Sequence, residues 1–190
     1  MANLDAPFGF RPVGELGSEV NNGGTSKYLI ASGYGTAIFK GDIVQLLTTG
    51  YISVSANSTA TNIGVFNGCF YNDPTTQKPT WSNYYPASTT PTVGNIEAFV
   101  YDDPNRLFEV QANGTLNQAA VGDNADQVYA AGSTINGASK SELGSVAGGS
   151  AQMRIIRICE DPENSDISSA NSNWIVRFNE HLYYNQGTGI

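Results

Sequence analysis

Charge is the scarcest commodity in this sequence. Asp, Glu, Lys and Arg make up 14% of its 190 residues, where an ordinary soluble domain carries roughly 25%. Basic residues are the rarer kind: 9 Lys and Arg against 17 Asp and Glu leave a formal net charge of −8. Affinity for nucleic acid or an anionic membrane is built from clustered Lys and Arg. Here Arg11, Lys27, Lys40, Lys78, Arg106, Lys140, Arg154, Arg157 and Arg177 are scattered along the chain, so neither partner is expected. The sole histidine is His181, and no motif offers it a catalytic serine or cysteine partner. Its expected role is structural hydrogen bonding or packing. No His/Cys cluster has zinc spacing, so no metal and no cofactor are expected. The two cysteines, Cys69 and Cys159, lie far apart with no C-x-x-C pattern. They read as buried free thiols, with a disulfide left open.

Long apolar runs are missing too. No stretch approaches the roughly 20 apolar residues that cross a bilayer as a helix. The opening Met1-Ala2-Asn3-Leu4-Asp5-Ala6-Pro7 lacks the basic and apolar regions of a secretory signal. The chain is expected to be made and used in the cytoplasm, or to leave the cell by another route. Helical stripes are also absent, because Gly, Asn, Ser and Thr recur faster than a 3.6-residue apolar period can develop.

What the sequence does contain is turns and β-formers. There are 21 glycines and an aromatic content of 11%. Short β-rich runs alternate with turn residues at the spacing of a sandwich or barrel. The expected strands are 26–31, 37–39, 42–47, 51–55, 63–71, 80–85, 96–101, 107–112, 152–160 and 174–182. In Ile96-Glu97-Ala98-Phe99-Val100-Tyr101 period-two alternation predicts one buried face. Thr49-Gly50 suits a hairpin, and Asp102-Asp103-Pro104-Asn105 suits a tight Asx-type turn between two strong strands. Segment 114–149 is rich in Ala, Gly, Ser and Asn and reads as loops, with one brief helix near 117–121. The expected fold is all-β, a single β-barrel or β-sandwich over 27–190, preceded by an extended arm over 1–26. The density of Pro and Gly in the arm leaves little room for regular structure. Yet Leu4, Phe8, Phe10 and Val13 are too apolar for a solvated tail, and predict packing on the chain's own domain or on a partner.

Chemistry-bearing clusters are few. Asp102 and Asp103 near Glu109, and Glu160-Asp161-Pro162-Glu163 near Asp166, are carboxylate groupings of the kind used in glycoside hydrolysis or Ca²⁺ binding. Both surround a proline, and turn capping explains them better. Gly148-Gly149 lacks the Lys and Ser/Thr of a phosphate loop. The group Trp81, Tyr84 and Tyr85 fits a sugar-stacking platform, but fits core or interface anchors better. No enzymatic activity is expected.

Several collinear stretches do resemble a known family. They are the opening through Phe8-Gly9-Phe10-Arg11-Pro12-Val13, then Tyr28-Leu29-Ile30-Ala31-Ser32-Gly33-Tyr34, Ile38-Phe39-Lys40-Gly41-Asp42-Ile43-Val44 and Ile63-Gly64-Val65-Phe66-Asn67-Gly68-Cys69-Phe70-Tyr71. Further on come Ser82-Asn83-Tyr84-Tyr85-Pro86-Ala87-Ser88, Tyr101-Asp102-Asp103-Pro104, Phe108-Glu109-Val110-Gln111 and Asn179-Glu180-His181-Leu182-Tyr183. In that order they resemble capsid decoration, or cement, proteins of tailed bacteriophages. The resemblance implies a homotrimer on the outer surface of the virion head, assembled in the host bacterial cytoplasm. It would clamp neighbouring major capsid protein subunits without catalysis. On this reading Leu4, Pro7, Phe8, Phe10 and Pro12 are the expected capsid-binding arm. Trp81, Tyr84, Tyr85 and Tyr101 are the expected oligomer or capsid interface. A tail or tail-fibre component, or a carbohydrate-binding module, is the alternative.

Overall fold

The computed structural model describes residues 3–17, 24–56 and 61–184. The protein is all-β, and its centre is a closed barrel. Strands β4 (Ile43–Leu46), β5 (Ile52–Val54), β2 (Ser26–Ile30), β9 (Ile96–Tyr101) and β6 (Asn62–Asn72) follow one another around it, and β6 pairs back onto β4. Strand β7 (Pro79–Ser82) is added outside the ring on β6. Alternation builds the interior as expected: Ile96, Ala98 and Val100 of β9 are buried, while Glu97, Phe99 and Tyr101 are half-exposed. With Ile30, Val44, Ile52, Ile63, Phe66 and Cys69 they form one apolar core. The Thr49-Gly50 hairpin joins β4 to β5, which pair antiparallel, and Gly50 supplies the positive φ of 79°.

Strand β6 serves three neighbours, and its pairings with β4 and β9 close the barrel. It is 11 residues long and pairs with β4, β7 and β9. Two glycines make this possible. At Gly64 (φ 147°) a Cβ would sit 2.1 Å from the Tyr101 carbonyl oxygen, and at Gly68 (φ 156°) it would meet the Trp81 indole at 2.6 Å. Glycine inside a strand commonly marks such a corner or close approach.

A second, open sheet lies against the barrel in the order β1 (Arg11–Glu15), β10 (Arg106–Gln111), β14 (Asn173–Phe178), β13 (Met153–Ile158), β11 (Asn124–Val128) and β12 (Glu142–Ala147). Its core contains Phe10, Phe108, Val110, Leu116, Met153, Ile155, Trp174, Val176 and Phe178. Ile43 and Val65, directly paired across β4 and β6, belong to this second core. The outer wall of the barrel is thus the floor of the sheet. A small pair, β3 (Ile38–Phe39) with β8 (Tyr84–Tyr85), and a 3₁₀ turn at Gln118–Ala120 capped by Asn117 complete the regular structure.

Three expectations need correcting. Segment 114–149 is not all loop, because β11 and β12 lie in it. Residues 11–15 are not irregular arm but strand β1, paired with β10. The expected strand 80–85 is two strands with different partners. The Asp102–Asn105 turn is of the expected Asx type, with Asp103 Oδ1 accepting from the Asn105 amide at 2.8 Å. However, β9 belongs to the barrel and β10 to the open sheet, so the turn carries the chain from one to the other and closes no hairpin.

Candidate functional site

The N-terminal segment is stitched to the protein's own domain. The Asn3 side chain donates to the carbonyls of Asp166 and Ala170 at 2.9 and 2.8 Å. Leu4 exchanges hydrogen bonds with the Asn164 side chain. Gln111 bridges the segment by donating to the Leu4 carbonyl and accepting from the Ala6 amide. The Phe10 amide donates to the Gly41 carbonyl at 2.9 Å. Of the apolar arm residues, Phe8 and Phe10 thus pack on the chain's own domain, whereas Leu4 and Val13 keep exposed side chains.

The seam is tight because two glycines meet in it. A Cβ on Gly9 (φ 74°) would lie 2.5 Å from Ser139 Cβ and 2.8 Å from the Gly41 carbonyl oxygen, and one on Gly41 (φ 95°) would lie 3.1 Å from the Phe8 carbonyl oxygen. Below them, buried Asp42 holds the loop in place. Its Oδ2 accepts from the Phe39 amide at 2.8 Å, and its Oδ1 accepts from the Ser139 hydroxyl at 2.6 Å. Burial pushes the Asp42 carboxyl up to about 6, outweighing the Ser139 and Phe39 hydrogen bonds that pull the other way.

Between arm and barrel the seam leaves an apolar pocket of about 160 Å³ lined by Phe8, Phe10, Arg11, Pro12, Lys40, Gly41, Val65, Phe66, Tyr101 and Ala138. Phe10, Val65 and Phe66 are buried and form its floor, while Arg11 and Lys40 are exposed at its mouth. The Arg11 guanidinium lies 4.8 Å from the Phe8 ring centroid and pairs with buried Glu109 at 2.5 Å. The structure therefore joins three expected arm residues, Phe8, Phe10 and Pro12, with one expected interface residue, Tyr101.

The other expected site residues scatter. Leu4 is 58% exposed although its backbone is tied down, and Pro7 is half-buried. Tyr84 stacks on Phe39 with ring centroids 5.6 Å apart. Tyr85 is fully buried in the barrel, its hydroxyl donating to the Tyr34 carbonyl at 2.9 Å. Phe10 and Tyr85 therefore leave the set of surface contacts, because a side chain buried in its own core has no area to give a partner. Trp81 remains, 51% exposed. Its companions are Phe99, at a centroid distance of 5.1 Å, and Phe70, its cross-strand neighbour. Three strands bring these rings together, so only the β6–β7 and β6–β9 registers could have grouped them. Of the other seam residues, Lys40, Val65 and Phe66 lie in stretches that carry the family resemblance, but no sequence signal grouped them with one another or with Ala138.

His181 is buried, its Nδ1 accepting from the Tyr183 amide at 3.2 Å while Nε2 lies 3.1 Å from the Ile63 carbonyl. Acceptance at Nδ1 leaves the proton on Nε2, which donates to Ile63, and burial lowers the pKa of the ring. This is a neutral, structural imidazole. Cys69 and Cys159 are both free, which removes the disulfide. Burial raises the Cys69 thiol to about 12, far from a reactive thiolate. Among the described residues there is no cluster of three or more His, Cys, Asp or Glu able to hold a metal ion, and no helix is long and apolar enough to cross a membrane. No family model, curated protein or solved structure matches the chain.

Proposed function

We propose that this protein is a non-enzymatic decoration protein of a tailed-phage head. It binds the outer capsid surface as a homotrimer and stabilises contacts between major capsid protein subunits. The observation that carries the reading is the surface. On a chain of net charge −8, large apolar side chains stand exposed on both halves: Val13 and Leu16 beside the open sheet, Phe70 and Trp81 on the barrel. Interfaces are enriched in such aromatic anchors and depleted of charge at their centres. Acidic charge suits the outside of a DNA-filled shell and not its lining. The collinear resemblance supplies the trimer and the capsid partner.

The arm enters this proposal in revised form. Its backbone is committed to the domain, so its contribution to capsid contact is the exposed Leu4 side chain and the pocket that Phe8 and Pro12 help to line. The test is co-sedimentation of the purified protein with heads assembled without it. Saturable binding at hundreds of copies per head is expected. Binding only to tails, or none to either, would overturn the proposal.

A further inference from the structure

We infer that the seam pocket is a receptor for one aromatic side chain flanked by a carboxylate, presented by an acidic segment of a partner polypeptide. Size selects the aromatic anchor. The pocket measures about 160 Å³, and an apolar cavity of roughly 150 Å³ holds a benzene ring. Half-buried Phe8, Pro12, Tyr101 and Ala138 offer its reachable apolar walls, backed by the buried side chains of Phe10, Val65 and Phe66, so a ring that enters leaves water and meets apolar atoms on several sides.

Charge selects the flank. The protein is strongly acidic and has only 9 basic residues, yet two of them, Arg11 and Lys40, line this one pocket. Arg11 already shares its charge with Glu109. Lys40 takes part in none of the ion pairs formed among the described residues. Its backbone is nevertheless fixed, the amide donating to Gly137 and the carbonyl accepting from Ser139, both at 2.9 Å. An exposed cation thus stands on a held loop at the mouth of an apolar slot. A carboxylate next to the anchor would meet the Lys40 ammonium as a charge-assisted hydrogen bond, a stronger kind than a neutral one.

The pocket also forms only when the arm is docked, because Phe8, Phe10 and Pro12 supply one wall. It therefore couples ligand binding to the order of residues 8–12. The inference rests on the decoration reading only for the source of the acidic segment, which would be a capsid subunit.

The test uses three blocked tripeptides: phenylalanine between two aspartates, phenylalanine between two asparagines, and alanine between two aspartates. Each is titrated into the ¹⁵N-labelled full chain. The first should shift the amides of Val65, Phe66, Tyr101 and Ala138 saturably. The other two should bind roughly tenfold more weakly or less, the loss expected for one charge-assisted bond or one buried ring. Lys40→Ala, at an exposed site, should fold normally and erase the preference for aspartate over asparagine while keeping that for phenylalanine. Absence of saturable shifts at the pocket, or equal binding of all three peptides, would overturn the inference. Head binding with no peptide binding would refute the pocket and leave the decoration reading standing. Peptide binding with no head binding would do the reverse.

Discussion

The barrel and the open sheet use the same residue types and manage their strand edges in opposite ways. The barrel closes on itself through β4 and β6, which removes the edges of the ring and leaves the short added strand β7 as its outer edge. The sheet keeps two edges, β1 and β12. On β1 the risk is blunted by Pro12 and by an irregular register between Pro12 and Gly14, devices that discourage a further strand. The cores differ as well. The barrel interior is apolar nearly throughout, whereas buried Asp42, Asn62, Gln127 and Gln152 stand where barrel and sheet regions meet. Ser55 links them: its hydroxyl donates to Asn62 at 2.8 Å and accepts from Gln152 at 3.3 Å, and its carbonyl accepts from Gln127. Apolar burial is non-directional, while a buried polar network tolerates one arrangement. The barrel thus supplies bulk stability, and the junction fixes how the sheet and the arm sit on it.

The sharpest way to break this comparison is to remove residues 1–14. That deletion takes Phe10 from the sheet core and most of β1 from the sheet edge. A loss of at least about 3–5 kcal/mol is expected, the range for emptying a buried Phe site, read by denaturant unfolding. Amide exchange should accelerate in β10 and β14 before it does in β2 and β9. Unchanged stability would mean that the segment is an independent arm.

Gly64→Ala attacks the other half. With the Tyr101 carbonyl oxygen 2.1 Å from the new Cβ, something in the barrel must shift, and a cost of about 3 kcal/mol is expected. A wild-type melting temperature in this variant would show that β6 can turn the barrel without its glycine.

Asp42 tests the junction through pH. Its folded pKa is raised from 3.8 to about 6, so folding favours the protonated form. The stability this contributes is fully present below about pH 4 and is lost as pH rises through about 6. Asp42→Asn keeps an oxygen for the Phe39 amide and offers an NH₂ to Ser139. It should raise stability near pH 8 by up to about 3 kcal/mol and flatten the wild-type slope between pH 4 and 7. Parallel pH–stability curves for the two proteins would contradict this. The smallest effect belongs to Lys27→Ala, which opens an exposed pair with Glu97 and should cost under about 1 kcal/mol at moderate salt. A larger loss would place stabilising weight on the outer barrel wall.

The same contrast explains what was legible in the sequence. Barrel strands such as β9 announce themselves, because alternation with one buried face is a local signal. The strands β1, β11 and β12 do not. Arg11-Pro12-Val13-Gly14-Glu15 carries two strand breakers, tolerated only because it lies at an edge beside β10. Glu142-Leu143-Gly144-Ser145-Val146-Ala147 is a strand because β11 supplies its ladder, a non-local cause. The site divides likewise. Phe8, Phe10 and Pro12 stood out as apolar residues in a breaker-rich segment, but their wall partners come from positions 40–41, 65–66, 101 and 138, which only the barrel–sheet packing unites. Tyr84 and Tyr85 are equally aromatic neighbours of Trp81, yet pairing with β3 carries Tyr85 into the core and leaves Trp81 outside.

The proposal that this protein decorates a capsid is tested most directly by cryo-electron microscopy of particles that contain it, with copies counted and density located relative to the shell. The account predicts trimeric density on the outer surface at three-fold and quasi-three-fold positions, in hundreds of copies, with the seam facing a capsid subunit. Density confined to the tail, or a particle without the protein, would contradict it.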